Sequence, residues 1–230
     1  GEVVDALEHF FWGQKHGLAI ELGALDGSID TKSQTFEYEK SLGWRRILVE
    51  GDPSYKDNLL KKSPMAFIAN AAICSDHSTG KIVHFSDQAY TGGIIEFMST
   101  EFFKTYHTKI YQAGTPPGDI TSINWAAFPH VKEVACVPMS TVLHKARTRH
   151  VNYFILDVEG AELEVLHSIN WSLVKFDVLC IETDPPNRPE GYAQKMTEYL
   201  KQHGYRDYSG QIGRNIWYIR DDFVPSARPG

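Results

Sequence analysis

Short apolar runs alternate with amphipathic stretches along most of this chain. Gly17–Leu22 reads as a buried strand that ends in Gly23, and Ile47–Glu50 as a second short strand. Between them, Thr31–Leu42 predicts a helix capped by Asp30 or Thr31. Pro53 opens a helix through about Lys62, because proline suits a first helical position. Ala66–Ile73 is a third strand, and Lys81–Phe85 a fourth, peripheral one. The stretch 86–132 breaks the pattern with Gly92-Gly93, Pro116-Pro117-Gly118 and many aromatics. A gap of that length between strands is functional or carries structure of its own.

Regularity returns with a strand over Glu133–Pro138 and a helix over Thr141–Arg147 that Ser140 can cap. Asn152–Asp157 is a strongly apolar strand, followed by a helix over Gly160–Ile169 with Ala161, Val165 and Ile169 along one stripe. Val178–Ile181 is another apolar strand, ending in Glu182. A helix near Glu190–His203 aligns Tyr192, Met196, Tyr199 and His203 until Gly204 stops it. Arg206–Ser209 and Ile216–Arg220 close the chain as an antiparallel pair. This alternation predicts an α/β fold: a mainly parallel sheet with helices on both faces. Ligands of such sheets bind beyond the carboxyl ends of the strands. The chemistry-bearing residues fall there: Gly23–Gly27, Glu50-Gly51-Asp52, Asp157-Val158-Glu159 and Glu182-Thr183-Asp184.

At 230 residues, 42% of them apolar, the chain fits one domain over 1–230, with 86–132 as an insertion and no linker or repeat to divide it. A net charge of −6 with interspersed signs argues against a nucleic-acid partner, which needs a basic face. Cys74, Cys136 and Cys180 are odd in number and widely spaced. No CxxC pair suggests zinc or redox work. Cys74 and Cys180 lie in apolar runs and read as buried free thiols, which favours a reducing, cytoplasmic setting. No run is long enough to span a bilayer and no signal peptide opens the sequence. It starts at Gly1 rather than Met, so a targeting or anchoring segment ahead of it stays open.

In Glu21-Leu22-Gly23-Ala24-Leu25-Asp26-Gly27 an acid ends the strand and two glycines follow, spaced G-x-x-x-G. Glycine lets the backbone turn sharply and approach a ligand. The nicotinamide fingerprint needs G-x-G-x-x-G and cradles a diphosphate. Asp26 inside the turn suits instead a ligand carrying an amino group and a sulfonium. Glu50 ends the next strand, about twenty-seven residues past Gly23, where an acid grips ribose hydroxyls in nucleoside-binding folds of this type. Asp157 and Glu159 flank the end of a deep strand and lead straight into a helix. A plain role at the helix start for Glu159 or Glu162 is the competing reading.

Glu21–Gly27, Ser33-Gln34-Thr35-Phe36-Glu37, Leu48-Val49-Glu50-Gly51-Asp52-Pro53, Asn70-Ala71-Ala72 and above all Leu156-Asp157-Val158-Glu159-Gly160-Ala161-Glu162 resemble the FkbM-type methyltransferase family, in its order, over about 17–183. Asn215–Tyr218 is similar to its closing strand. The resemblance implies a class I methyltransferase, Rossmann-like fold: a mainly parallel seven-stranded sheet with an antiparallel closing strand. It implies S-adenosyl-L-methionine as cofactor and methylation of a hydroxyl oxygen on a sugar or small natural product. Carried across, Glu21, Gly23, Ala24, Asp26 and Gly27 form the first cofactor motif; Ser33 and Thr35 reach the methionine end; Glu50, with Gly51, holds the ribose; Ala72 and Ile73 meet the adenine; Asp157 lies beside the transferred methyl. Gln34 stands where the family pattern has asparagine.

A hydroxyl acceptor needs a base to take its proton. Asp157, Glu159, Glu182, and His107 or His130 from the insertion are the candidates, and the three carboxylates could also gather a hard cation, although no metal is expected. Tyr90, Phe97, Phe102, Phe103, Tyr106, Tyr111 and Trp125 either line an acceptor pocket or lid, or pack a small core of the insertion. The partner expected is a small-molecule or glycan acceptor. A catalytically silent binding or scaffold protein of the same fold is one rival, and a nicotinamide-dependent oxidoreductase another, which Asp26 and the missing third glycine disfavour.

Overall fold

The computed structural model describes residues 2–88, 91–113, 123–182, 190–212 and 215–229. Eleven strands and eight α-helices are described there: α1 (Glu2–Phe10), β1 (Leu18–Leu22), α2 (Phe36–Leu42), β2 (Arg45–Glu50), α3 (Lys56–Lys62), β3 (Phe67–Asn70), β4 (Ala72–Ile73), β5 (Ile82–Ser86), β6 (Gly93–Ile94), α4 (Thr100–Tyr106), α5 (Thr108–Gln112), β7 (Val131–Val137), α6 (Met139–Lys145), β8 (His150–Leu156), α7 (Glu162–His167), β9 (Lys175–Ile181), α8 (Tyr192–Gln202), β10 (Tyr205–Asp207) and β11 (Ile216–Arg220). Seven strands form one sheet in the order β10-β11-β9-β8-β1-β2-β3, parallel from β3 through β9, with β11 antiparallel to both its neighbours. The mainly parallel α/β architecture expected from the alternation is therefore present.

The central strands are apolar on both faces because both faces are covered. Leu18, Ile20, Leu22, Phe154 and Leu156 pack on one side with α6, α7 and α8 residues such as Leu143, Val165 and Met196. Ala19, Tyr153, Ile155, Cys180 and Trp217 pack on the other against Phe10, Phe11, Tyr38 and Trp44. Register then aligns the strand ends. Leu22 of β1 pairs with Val49 of β2 and Leu156 of β8, and Leu156 with Ile181 of β9. The residues that follow, Gly23, Glu50, Asp157 and Glu182, emerge along one edge.

Three expectations change. The helix predicted over Thr31–Leu42 begins only at Phe36, because residues 33–35 wrap around Glu21. The strand predicted over Ala66–Ile73 divides at Ala71: β3 ends the large sheet, and β4 joins a second sheet of order β4-β7-β5-β6. Asn70 enforces the break by donating its side-chain amide to the carbonyls of Glu50 and Asp52. Cys74 is not a free thiol; it is bonded to Cys136, with Cα atoms 5.5 Å apart. Pairing of β4 with β7 sets Ala72 opposite Cys136 and brings the two cysteines together, a proximity that 62 residues of separation hide in the sequence. Only Cys180 remains a buried free thiol, its pKa pushed up to about 12 by burial. The bridge removes the support that free thiols lent to a reducing compartment, since disulfides persist in oxidising ones. Among the described residues no helix is long and apolar enough to cross a membrane.

Candidate active site

A cavity of about 310 Å3 opens at the aligned strand ends, bordered by β1, β2 and β8 on one side and by β4, β5 and β6 on the other. Gly23 bends the chain over its floor at φ +80°, and a Cβ there would lie 2.2 Å from the Asp157 carbonyl oxygen. No other residue fits so close to the end of β8. Gly51 is constrained likewise, since its Cβ would meet the Phe85 ring at 2.3 Å.

Glu50 is buried, and its two carboxylate oxygens accept from the Leu25 and Asp52 amides, each at 2.8 Å. Burial raises its pKa to about 7 against those amides. Glu21 is buried too, but its carboxylate serves the chain. It accepts from the Ser33 hydroxyl at 2.7 Å, the Thr35 hydroxyl at 2.6 Å, and the Gln34 and Thr35 amides at 2.8 and 3.2 Å. Burial pushes its pKa up despite these donors and the nearby Arg46 guanidinium. Arg46 lies buried beneath, donating to the Gly27 carbonyl at 2.8 Å and paired with Glu39.

Asp157, Glu159 and Glu182 approach one another with one oxygen of each within 4.8 Å of the others. Burial, a hydrogen bond with Glu182 and the charges of Glu159 and Glu162 push the Asp157 pKa well up. Glu159 takes a left-handed conformation at φ +53°, and Gly160 follows at φ +109° with Phe97 O 2.6 Å from where a Cβ would be. Glu162 locks this turn: it accepts from the Gly160 amide at 3.1 Å and from the Tyr192 hydroxyl at 2.8 Å. The helix-start reading holds for Glu162, while Glu159 faces the cavity.

Of the residues singled out in the sequence, Glu21, Gly23, Glu50, Gly51, Ala72, Ile73, Asp157, Glu159 and Glu182 border this cavity. Ala24, Asp26, Gly27, Ser33 and Thr35 do not border it. Ala24 packs with Leu48 and Leu59. Asp26 accepts from Lys62 at 2.7 Å, and also from Ser28 and Thr31. Burial raises the Asp26 pKa, but those donors outweigh it and bring the group down to about 2. The hydroxyls of Ser33 and Thr35 are directed to Glu21, not to the cavity. The sequence reading missed Glu2, Lys32, Phe85, Ser86 and Gly93, which also border it. Only the tertiary fold brings the second sheet, with Phe85, Ser86 and Gly93, and the remote Glu2 and Lys32 over the strand ends, so no local pattern marks them.

The aromatics of the insertion mostly pack inward. Phe102 and Phe103 are buried with Ile95, Met98 and Ile110, and Tyr106, Tyr111 and Trp125 lie against them. Phe97 packs beside Val83 and Ile94. Tyr90 lies outside the described residues, as do Thr183 and Asp184. His107 and His130 border a separate hollow, next to the main cavity at Gln88.

A large parallel sheet closed by an antiparallel strand, with a glycine cradle and a buried acid at consecutive strand ends, defines a Rossmann-like methyltransferase fold. The family model described as the methyltransferase FkbM domain matches residues 21–206, and the chain belongs to that family. No curated protein matches the sequence. A solved structure from Pyrococcus horikoshii, provisionally described as an RNA methyltransferase, is similar at 10% identity and a TM-score of 0.41, covering 95% of this chain and 79% of that one. That likeness is too distant to bear on substrate.

Proposed function

We propose that this methyltransferase uses S-adenosyl-L-methionine and methylates a hydroxyl oxygen of a sugar or small natural product. The observation that carries the reading is the cavity at the ends of β1 and β2, where Gly23 leaves room at the floor and Glu50 presents a buried carboxylate. Its volume lies at the lower end of the range for small-molecule sites. The donor set fits the cofactor: a carboxylate for ribose hydroxyls, the apolar Ala72 and Ile73 for a nucleobase, and acids for a sulfonium. The cofactor, once bound, supplies an electrophilic methyl group on sulfur.

In this reading the chain contributes positioning and a dry wall. Glu50 and Gly51 hold the ribose, Ala72 and Ile73 the adenine, and Gly23 allows close approach. Glu21, Ser33 and Thr35 act as a brace behind the methionine end, and Asp26 with Lys62 steadies the turn. Asp157, Glu159 and Glu182 lie where acceptor and methyl meet. The chain works as one domain in this reading, with the described residues of the insertion that border the cavity, Ser86 to Gln88 and Gly92 to Ile94, on the acceptor side. The cavity's acidic border also favours a small acceptor over a nucleic acid.

Calorimetry with S-adenosylhomocysteine and with NAD tests the cofactor: micromolar binding of the first and none of the second is expected, and the reverse would restore the oxidoreductase rival. Mass spectrometry of a glycan and natural-product panel, read for one added methyl, separates an enzyme from a silent scaffold.

A further inference from the structure

Ser86 and His107 form a buried pair that the reading above leaves without a task. Ser86 ends β5, is fully buried and borders the main cavity. Its hydroxyl lies 3.2 Å from Nδ1 of His107, and Nε2 of His107 lies 3.1 Å from the Thr91 carbonyl oxygen. A carbonyl only accepts, so Nε2 carries the ring proton and Nδ1 is the acceptor. Ser86 therefore donates to His107, and Thr91 fixes the tautomer. The rings of Phe103 and Phe102, at centroid distances of 5.7 and 6.0 Å, hold the imidazole in place. This is the arrangement of a hydroxyl, a base and an orienting acceptor.

Position adds to chemistry. Ser86 pairs with Gly93 across β5 and β6. A Cβ on Gly93 would lie 3.1 Å from Cβ of Glu159, so the strand that carries Ser86's partner touches the acidic corner. His107 also borders the second hollow, of about 400 Å3, with Tyr106, Lys109 and His130. The pair thus stands between the cavity and a separate opening.

We propose that Ser86 and His107 are a proton relay, taking the acceptor hydroxyl's proton out of the main cavity toward the second hollow. The inference rests on the methyl-transfer reading. As the acceptor oxygen bonds to the methyl carbon, the carbon–sulfur bond breaks with its electrons left on sulfur. The acceptor proton passes to Ser86 Oγ, and the proton of Ser86 passes to Nδ1 of His107. The imidazolium, held by the Thr91 carbonyl, loses a proton to solvent on the far side. Burial, with the charge of His130 adding, holds the His107 pKa below its ordinary value against the Thr91 carbonyl, so the ring is a neutral acceptor at pH 7. His130, Lys109 and Tyr106 are the titratable groups facing it across the hollow, and none is an acid. Ser86 is the group that would touch the acceptor; His107 acts through it.

Two readouts test the relay. In the unliganded protein, nitrogen-detected NMR of His107 is expected to show a neutral Nε2–H ring at pH 7. An Nδ1–H ring would overturn the proposal. Methyl transfer from labelled S-adenosylmethionine to a panel of methyl glycosides and sugar alcohols is then followed from pH 5 to 9. At saturating S-adenosylmethionine, where the titration of Glu50 in cofactor binding does not enter, the wild-type kcat is expected to fall on the acid side as His107 protonates. Ser86→Ala and His107→Gln should lower kcat by about 10²-fold and erase that acid limb, with S-adenosylhomocysteine affinity within about twofold of wild type and Ser86→Thr restoring most of the rate. An unchanged pH profile in both variants, a loss explained by weaker cofactor binding, or no methylated hydroxyl product from wild type that binds S-adenosylhomocysteine would each overturn the relay. Failure of the wild type to bind S-adenosylhomocysteine would instead overturn the function on which it rests.

Discussion

Replacing Glu21 tests whether the first acid of the motif holds the ligand or the protein. Its carboxylate collects two hydroxyls and two backbone amides from residues 33–35. In Glu21→Gln the amide oxygen can take the place of Oε2 and keep Ser33 and Thr35. The amide nitrogen then faces the Gln34 N–H, donor against donor. Losing that one bond costs about 1–3 kcal/mol, partly offset because a neutral amide is cheaper to bury than a carboxylate raised in pKa. A net loss of about 1–2 kcal/mol is expected, or roughly 2–8 °C in Tm for a chain of this size. Glu21→Ala strips all four donors and leaves the buried Arg46 with less countercharge, so about 3–5 kcal/mol should go.

Urea unfolding and hydrogen exchange at the Gln34 and Thr35 amides read these values directly. Faster exchange of those two amides should accompany weaker binding of S-adenosylhomocysteine. The double variant Ser33→Ala, Thr35→Val keeps Glu21 but loosens the same loop, and should weaken binding comparably. Full affinity in that double variant together with lost affinity in Glu21→Gln would refute the brace, because Glu21 would then be touching the ligand itself. Glu21→Ala within about 1 kcal/mol of wild type would refute it too.

Three further outcomes follow from the same geometry. Glu50, raised to about 7, keeps its proton in the folded chain while the unfolded chain releases it from about pH 4.5; stability should therefore decline as pH rises through that window, by about 3 kcal/mol. S-adenosylhomocysteine should in turn bind more tightly above pH 7, and Glu50→Gln should flatten both curves in unfolding and calorimetric titrations. Gly23→Ala places a methyl 2.2 Å from the Asp157 carbonyl at a left-handed φ, so at least tenfold weaker S-adenosylhomocysteine binding and a loss of about 2–4 kcal/mol are expected; a twofold change in calorimetry would refute the cradle. Thiol counting on denatured protein should find one reactive cysteine of three before reduction and three after, and Cys74→Ala with Cys136→Ala should cost about 4 kcal/mol for a closed loop of that length in thermal unfolding.

The large sheet was legible because its central strands β1, β2, β8 and β9 are apolar runs buried on both faces, and each leads into a glycine or an acid at the functional edge: Gly23, Glu50, Asp157 and Glu182. Leu48-Val49-Glu50 and Leu156-Asp157 carry that signal in consecutive residues. Roles were less legible than places. Ser33 and Thr35 looked like ligand hydroxyls because nothing local shows that a buried carboxylate twelve to fourteen residues earlier uses both of them. Asp26 looked suited to a ligand's amino group because Lys62, its neutralising partner, lies thirty-six residues away in α3. Phe85 and Ser86 gave no signal, since β5 reads as peripheral until its pairing with β7 folds it over Gly51. Cys74 and Cys136 stayed hidden for the same reason: what joins them is a pairing between strands, not a spacing.

The charge of the cavity wall carries the proposed reading one step further. Glu2, Glu21, Glu50, Asp52, Asp87, Asp157, Glu159 and Glu182 border it, with Lys32 the cation among the described lining residues. Burial raises the pKa of Glu21, Glu50 and Asp157, but the remaining acids on the wall still outnumber Lys32 and leave an excess of negative charge. Such a wall attracts a sulfonium and has no charge to hold in a neutral thioether. Methyl transfer removes that positive charge, so the product should leave a site that its precursor entered readily. Salt screens the attraction and leaves apolar contacts intact. The affinity for S-adenosylmethionine should then fall about threefold or more between dilute buffer and roughly 0.5 M salt, while that for S-adenosylhomocysteine barely moves. Equal salt dependence for the two in calorimetry would mean that the carboxylates at the ends of β8 and β9 are turned to the acceptor alone.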